Sequence, residues 1–370
     1  MFCEDYCVAR PEDIETPALL VFEDRLDGNI KALIEQVGGG ERLAPHVKTH
    51  KSAEILRRQM AAGIRSFKCA TLSEAEMIAR GGADDLLLAY PIAQPLKARR
   101  FMELKARYPK TLFRAMVSSP AHAEILSAAA VESGDNVDVM IDLDVGMHRT
   151  GIEPGEAAFE LCLLIHKTPG LRYAGIHAYD GQNNQTDIAE RESAAGEALD
   201  FVKSLRDRLK SVGLETSTIM MGGSICYPFY TREDGIQGSP GTVAYWDGNY
   251  MKQMPDMPFR CAALVLTQVV DSNPARDLVT LDLGSKAICC DQVLANRALF
   301  PGYPQVSIVK QNEEHCVLKC NGADLKIGDY LLAIPGHVCT AVVRYPGALL
   351  INRVGEVSGY IEHTSRDRLT

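Results

Sequence analysis

The stretch APHVKTHKS at residues 44–52 concentrates two lysines and two histidines in a short span that follows glycines at 38–40. Its first lysine, Lys48, comes directly after the strand-like Val47. At the end of a buried strand, burial lowers the pKa of a lysine and makes its amine nucleophilic, as a Schiff-base residue requires. A solvated basic turn is the other interpretation of such a stretch, and the surrounding sequence has to distinguish the two.

Strand-like and helix-like segments alternate from this stretch onward. Regular alternation over about 200–250 residues is typical of a parallel (β/α)8 barrel of the TIM type. A doubly wound sheet has similar spacing, but the first strand–helix turn has no GxGxxG motif, which disfavours a dinucleotide-binding fold. The predicted barrel strands are 43–48, 65–70, 85–90, 112–117, 137–143, 172–177, 216–221 and 241–246.

The pattern changes at about residue 257, where β-rich segments separated by turn-forming residues replace the helical spacing. This change predicts a second, mainly β C-terminal domain. We place the barrel at residues 16–250, with the strand-like segment 16–22 at its entry, and assign 1–15 plus 251–370 to the β domain. The predicted β-domain strands are 261–270, 278–283, 306–310, 316–318, 330–334 and 348–354.

Composition places the chain among ordinary globular proteins, with 46% apolar and 24% charged residues in 370. The net charge of -9 gives no reason to expect nucleic acid or an anionic membrane as a partner. No apolar run approaches the roughly 20 residues that span a bilayer. The acidic N-terminus lacks the apolar core of a secretion signal, so we expect a cytoplasmic protein.

The cysteines are numerous but scattered, and a disulfide framework is not expected in a reducing compartment. Most lie in apolar runs, where a free thiol behaves as a small hydrophobic side chain. Cys3 and Cys7 have no second close pair that would complete a zinc site, so we do not expect them to bind metal.

In a barrel of this type, active-site residues lie at the carboxyl ends of the strands and in the loops that follow. The turn Gly222-Gly223-Ser224 follows the seventh predicted strand, and Pro240-Gly241-Thr242 precedes or begins the eighth. Glycines let backbone N–H groups approach an anion closely, and the serine adds a hydroxyl donor. A phosphate site on the loops of the last two strands is common in barrels, although a plain turn is the alternative.

Arg149 follows the fifth predicted strand, in the run 142–151 that also contains Asp142 and Asp144. A guanidinium in this position is suited to bidentate binding of an anion or a phenolate. An ion pair with either aspartate is the competing interpretation.

The second domain contains His337-Val338-Cys339. In an extended segment, alternation places both side chains on one face. An imidazole and a thiolate together suit zinc or a similar divalent ion, and two protein ligands leave positions for water and substrate. Chance is the alternative explanation of such a short pattern.

Together these motifs resemble the fold-type III pyridoxal phosphate enzymes, the alanine-racemase-like group, and within it the branch of D-threonine aldolase and D-serine dehydratase. The resemblance covers nearly the whole chain, and the lysine motif paired with the late His-x-Cys is its most specific part. The matching motifs are Thr16-Pro17-Ala18-Leu19-Leu20, residues 45–51, Gly222-Gly223-Ser224, Pro240-Gly241-Thr242, Glu313-Glu314-His315 and His337-Val338-Cys339.

The resemblance implies a role for each site residue. Lys48 would carry pyridoxal 5′-phosphate and act as the catalytic residue, while His337 and Cys339 would hold a divalent metal such as Mn, Zn or Mg. The phosphate group and the cofactor ring would be bound by Gly223, Ser224, Gly241, Thr242, Arg149 and Tyr179. His46, His50 and Lys51 are kept out of the catalytic set, because they could equally tune the site or only pack around it.

The implied activity is cleavage of a D-3-hydroxy amino acid to glycine and an aldehyde by a D-threonine aldolase-type lyase. Residues 179–181 and 244–247 favour that branch. Dehydration of D-serine or D-threo-3-hydroxyaspartate is the alternative, because the same groups serve both reactions. An amino-acid racemase or a non-catalytic carrier of the cofactor is disfavoured, because neither needs the metal ligands. The family also implies a homodimer.

Overall fold

The structure of the protein is a computed structural model that describes residues 5–368, so Cys3 and the rest of 1–4 lie outside it. The strands are β1 Ala18–Phe22, β2 Ser66–Cys69, β3 Asp85–Leu88, β4 Leu112–Val117, β5 Val137–Leu143, β6 Leu171–Ala178, β7 Thr218–Met221, β8 Ile236–Gly238, β9 Ala263–Asn273, β10 Leu278–Leu281, β11 Ala298–Leu299, β12 Ser307–Gln311, β13 Cys316–Lys319, β14 Tyr330–Pro335, β15 Gly347–Ile351 and β16 Val357–Glu362. The α-helices are α1 Glu23–Val37, α2 Ala53–Ala61, α3 Leu72–Arg80, α4 Pro95–Arg107, α5 Pro120–Ser133, α6 Glu156–Lys167, α7 Ile188–Ser211, α8 Tyr227–Tyr230, α9 Gly248–Gln253 and α10 Val338–Val342.

Two compact units are interleaved along the chain. In the described residues the first unit comprises 5–32, 49–54 and 242–366, and the second comprises 33–48, 55–241 and 367–368. The division of the chain into domains at residues 16 and 250 stays a prediction.

The second unit contains a parallel sheet whose strands follow chain order from β2 to β8. Helices α3 to α7 connect consecutive strands from β2 to β7, and α8 lies between β7 and β8, as a parallel β/α arrangement requires. The segment 43–47 bridges the two sheet edges, because Ala44 N–H donates to Gly238 O at 2.8 Å and Val47 N–H donates to Lys68 O at 2.9 Å. This segment is the first predicted barrel strand, and its two-sided pairing confirms the predicted barrel class.

The eighth predicted strand, 241–246, is wrong. The strand at that place in the sheet is β8, and residues 241–246 form a turn in which Tyr245 and Trp246 N–H groups donate to Thr242 O. The apolar residues of 241–246 are buried by packing in this turn and not by pairing in a sheet. The centroid of the Trp246 ring lies 5.0 Å from that of Tyr250 and 5.1 Å from that of Phe259.

Side chains fill the interior of the second unit's sheet. One buried cluster takes a residue from segment 43–47, which we call the closing segment, and one from each of the five successive strands β3 to β7. Its members are Ala44, Leu87, Met116, Met140, Ala174 and Met220. Three of these are methionines, whose flexible side chains fill irregular space well. Gly175 lies where β6 and β7 approach closely, and a Cβ there would lie 1.9 Å from Thr218 O.

The first unit is built on a mixed β sheet with the strand path β12-β13-β10-β9-β1-β15-β16, in which β14 also pairs with β9 and β11. Its mainly β character confirms the prediction that the chain contains a mainly β part besides the barrel. Strand β1 was predicted as the entry to the barrel, but it pairs in parallel with β15 and antiparallel with β9.

Two further sequence expectations concern the membrane and the thiols. Among residues 5–368, no helix is both long enough and apolar enough to cross a bilayer. The ten cysteines in that range are free thiols.

Candidate active site

Lys48 follows the closing segment of the second unit. Its side chain is half-buried, and its backbone N–H donates to His46 Nδ1 at 3.2 Å. Four residues later the pattern repeats, since Ser52 N–H donates to His50 Nδ1 at 3.1 Å. Both histidines of the basic stretch therefore shape the loop that presents Lys48.

Three cationic side chains surround the ring of Tyr179. The distances to the ring centroid are 6.0 Å from Lys48 Nζ, 5.8 Å from Lys68 Nζ and 5.1 Å from Arg149 Cζ. These distances lie within the range of cation–π attraction. The structure thus brings together three of the predicted site residues, and it adds Lys68.

The Tyr179 ring also fills the space beside the predicted glycine turn. A Cβ on Gly223 would lie 2.9 Å from Tyr179 Cε2, and one on Gly181 would lie 2.6 Å from Tyr179 Cε1. Packing against the ring therefore favours glycine at 223. The Gly223 N–H donates to Asp180 Oδ1 at 3.2 Å.

Ser224 and Gly241 lie together, because the buried Ser224 Oγ accepts a hydrogen bond from Gly241 N–H at 3.1 Å. This bond ties the turn after β7 to the turn after β8. Thr242 is buried as well, and its carbonyl accepts the N–H of Tyr245 at 3.1 Å.

Arg149 is exposed and lies over the Tyr179 ring. The two aspartates proposed as its alternative partners are held by histidines. Asp142 Oδ1 is 2.7 Å from His177 Nδ1, and Asp144 Oδ2 is 3.2 Å from His148 Nδ1. Asp144, His148 and the exposed Glu153 also form a cluster of potential ligand atoms, all within 4.8 Å of one another.

Sequence reasoning missed a buried polar network around Lys68, the third residue of β2. Lys68 Nζ lies 2.7 Å from Ser239 Oγ and 3.2 Å from His177 Nε2, and His177 in turn contacts Asp142. Burial lowers the pKa of Lys68 to about 7, with the charge of Lys48 as the next cause. Burial likewise lowers the pKa of His177. The sequence did contain a signal for Lys68, because it is a charged residue within the apolar run 67–70. Side chains alternate between the two faces of a strand, so a lysine there points to one face of the sheet or the other.

The predicted metal ligands, His337 and Cys339, are placed by β14 and α10. The prediction of an extended His-x-Cys segment is wrong, because α10 begins at Val338 and His337 is its N-cap residue. The two side chains nevertheless interact with each other. Burial by itself lowers the pKa of His337, but the hydrogen bonds and charges of Cys339 and Asp291 outweigh it and raise the pKa to about 9.

Two further residues contact this pair. Asp291 Oδ2 lies 2.5 Å from His337 Nδ1, and Thr49 Oγ1 lies 3.2 Å from Cys339 Sγ. A carboxylate on one ring nitrogen is the usual way in which proteins orient a metal-binding histidine, and Nε2 is then the nitrogen that would bind the ion. Thr49 directly follows Lys48 in the chain.

Comparisons with known proteins are consistent along the chain. Residues 21–247 match the family model of the alanine racemase N-terminal domain, and residues 262–351 match a putative serine dehydratase domain. The 3-hydroxy-D-aspartate aldolase of Paracoccus denitrificans (strain Pd 1222) is 30% identical over 339 residues, covering 88% of this chain and 85% of that protein.

Two other similar proteins cover even more of the chain. The crystal structure of D-threonine aldolase from Filomicrobium marinum matches with a TM-score of 0.88 at 27% identity, over 96% of each chain. The D-threo-3-hydroxyaspartate dehydratase of a Delftia species is 26% identical over 375 residues, covering 93% of this chain and 96% of that protein.

Proposed function

The chain belongs to the family of the alanine racemase N-terminal domain, and we propose that it is a pyridoxal 5′-phosphate- and divalent-metal-dependent lyase that cleaves D-3-hydroxy amino acids. The favoured reaction is a retro-aldol cleavage to glycine and an aldehyde, as in D-threonine aldolase. The observation that carries this proposal is the grouping of Lys48 and Arg149 around the Tyr179 ring beside the Gly223 turn. Relatives named as aldolases support it at 27–30% identity.

The predicted cofactor-binding residues fit an anionic, aldehyde-bearing cofactor. Lys48 offers a half-buried amine that would hold the cofactor covalently, and Arg149 and Tyr179 would hold its ring. The turns that contain Gly223, Ser224, Gly241 and Thr242 would hold the phosphate. When bound, pyridoxal phosphate supplies an electron sink for the bond broken at the substrate Cα.

The residues of the first unit fit a divalent metal. His337 and Cys339 supply nitrogen and sulfur donors, and Asp291 orients the imidazole. A divalent ion held there would supply Lewis acidity, which lowers the pKa of a coordinated hydroxyl group. Mn, Zn and Mg are the candidates, and the thiolate donor favours zinc over magnesium.

Dehydration is the second candidate function, because the chain is also similar to a D-threo-3-hydroxyaspartate dehydratase. Both reactions start from a D-3-hydroxy amino acid and use the same groups. They differ in whether the Cα–Cβ bond breaks or the α-proton and the hydroxyl group leave. A racemase or a non-catalytic carrier would have no use for the His337–Cys339 pair.

The products distinguish the two reactions. The purified protein, loaded with cofactor and metal, is incubated with D-threonine, D-serine and D-3-hydroxyaspartate. We expect glycine and the matching aldehyde; a keto acid with ammonia would instead identify a dehydratase. Racemisation without cleavage, or no turnover of any of these substrates, would refute the lyase proposal.

The cofactor assignment is tested separately from turnover. Borohydride should trap the cofactor on Lys48, identified by peptide mass, and Lys48→Ala should lose both the visible Schiff-base absorption and the trapping. The matched control is Lys97→Ala, an exposed lysine over the Tyr90 ring. Full trapping in Lys48→Ala would show that another amine carries the cofactor.

We also propose a homodimer and a cytoplasmic location. The dimer is the arrangement expected for this family, and the free thiols suit a reducing compartment. Light scattering of the purified protein tests the first expectation, and a monomer at micromolar concentration would contradict it.

A further inference from the structure

Lys68 is a charged residue in the interior of the second unit, with only 3% of its surface exposed. Burying an ammonium group is costly unless hydrogen bonds compensate for the lost water. Two acceptors are present, Ser239 Oγ at 2.7 Å and His177 Nε2 at 3.2 Å. The residue is therefore held in one place by side chains from different parts of the sheet.

The acceptors' other partners fix the direction of each hydrogen bond. His177 Nδ1 lies 2.7 Å from Asp142 Oδ1, so the Nδ1–H donates to the carboxylate and Nε2 keeps a lone pair for Lys68. The Ser239 hydroxyl donates to Gly222 O at 2.7 Å, so its oxygen accepts from Lys68. Lys68 thus donates to both His177 and Ser239, at the centre of a series of hydrogen bonds that runs from Asp142 to Gly222.

This chain of hydrogen bonds reaches two parts of the proposed cofactor site. Gly222 begins the turn that continues into Gly223 and Ser224. The Lys68 amine itself lies 5.8 Å from the centroid of the Tyr179 ring, close to the 6.0 Å of Lys48. The network therefore lies beside the groups proposed to hold the cofactor.

We propose that Lys68 is a positioning residue of the proposed cofactor site: its ammonium group fixes His177 and the Gly222 turn, and adds a positive charge that favours an anionic ligand. This inference rests on the proposed function. Lys68 does not replace Lys48 as the covalent residue; it holds the surroundings in which Lys48 and the cofactor meet.

The pH dependence follows from the groups that face Lys68. Lys48 and Arg149 oppose its charge, Asp142 and Asp180 favour it, and His177 is a hydrogen-bond partner. Because the pKa of Lys68 is lowered to about 7, the ammonium form predominates below pH 7 and is lost above it. The contribution of Lys68 to cofactor affinity is therefore present below neutral pH and fades as the pH rises.

The experiment titrates the cofactor-free protein with pyridoxal 5′-phosphate at pH 6.0 and pH 8.5 and follows the Schiff-base absorption. Lys68→Met should weaken binding about ten- to a hundredfold at pH 6.0, the range for losing a hydrogen bond to a charged group. The ratio of the variant and wild-type dissociation constants should shrink toward one at pH 8.5. Lys68→Arg keeps the charge at both pH values, so its affinity should exceed that of Lys68→Met at both. Lys97→Met is the matched control and should bind as the wild type does.

The outcomes separate this inference from the proposed function. If the wild type forms no Schiff base, both fail together. If the wild type binds and Lys68→Met has the same affinity and the same pH dependence, only the role of Lys68 is refuted. If Lys68→Met does not fold, Ser239→Ala removes one acceptor with less disturbance; it should weaken binding in the same direction, and unchanged binding would overturn the inference.

Discussion

The contact between Gly223 and Tyr179 yields a stability prediction that does not depend on any ligand. Gly223→Ala would place a Cβ 2.9 Å from Tyr179 Cε2, about half an ångström or more inside ordinary van der Waals contact. At this distance either the Tyr179 ring or the backbone at 223 has to shift. The backbone at 223 is not in the left-handed region, so the cost comes from packing and not from dihedral strain.

Overpacking of this kind costs about 1–3 kcal/mol of unfolding free energy. The assay is urea unfolding of the cofactor-free protein, followed by fluorescence and circular dichroism. The matched control is Gly196→Ala in α7, where a Cβ meets nothing within 4 Å. That change should stabilise the protein by about 0.5–1 kcal/mol, because alanine has the higher helix propensity.

A double-mutant cycle with Tyr179→Ala isolates the contact. Once the ring is removed, Gly223→Ala should cost little, so the two changes should be non-additive by about 1 kcal/mol or more. An equal cost of Gly223→Ala with and without the ring would refute the packing argument. So would a neutral or stabilising effect of Gly223→Ala in the wild-type background.

Three further predictions concern single residues. Unfolded Lys68 keeps its proton up to about pH 10.5 whereas the folded residue loses it at about pH 7, so the unfolding free energy should rise with pH between these values, by several kcal/mol at most. Lys68→Met should lose that rise, as measured by urea unfolding at pH 6.5 and 9.5. Asp291→Ala should weaken metal binding about 10- to 100-fold in a competition assay with a chelator, whereas Asp277→Ala, which removes an exposed carboxylate, should not. The buried Asn29 accepts the Arg260 N–H at 2.9 Å and donates to two carbonyls, so Asn29→Ala should cost about 2–4 kcal/mol of unfolding free energy, and a loss below 1 kcal/mol would contradict this.

Local sequence pattern predicted the parallel strands well because each is a short apolar run with a helix after it. The prediction failed at β8, which has only three residues, because residues 241–246 form a more apolar run and were taken for the eighth strand. Pattern carries no information about which buried apolar residues pair in a sheet and which pack in a turn. The same limit applies to β1, whose partners are β9 and the distant β15. Pairing between segments so far apart is set by tertiary packing.

Candidate site residues that belong to a motif could be proposed from the sequence, whereas isolated ones could not. Lys48, Gly223, His337 and Cys339 stand in short groups whose chemistry is recognisable. Lys68 is a single polar residue in an apolar strand, and its two hydrogen-bond partners come from two other segments. Asp291 lies in a loop remote in sequence from His337. Such residues acquire their role only from the fold, since neither has a neighbour in sequence that explains it.

The basic stretch itself illustrates why residue type alone can mislead. Its two histidines suggested positive charge, yet burial lowers the pKa of His50 to about 3, with the charge of His363 as the next cause. His50 is therefore neutral at physiological pH, and its Nδ1 accepts the Ser52 N–H, as His46 Nδ1 accepts that of Lys48. An acceptor for a backbone N–H fixes a loop without a sheet or helix to hold it. The two histidines thus serve as local acceptors of backbone N–H groups, and these hydrogen bonds hold the loop that presents Lys48.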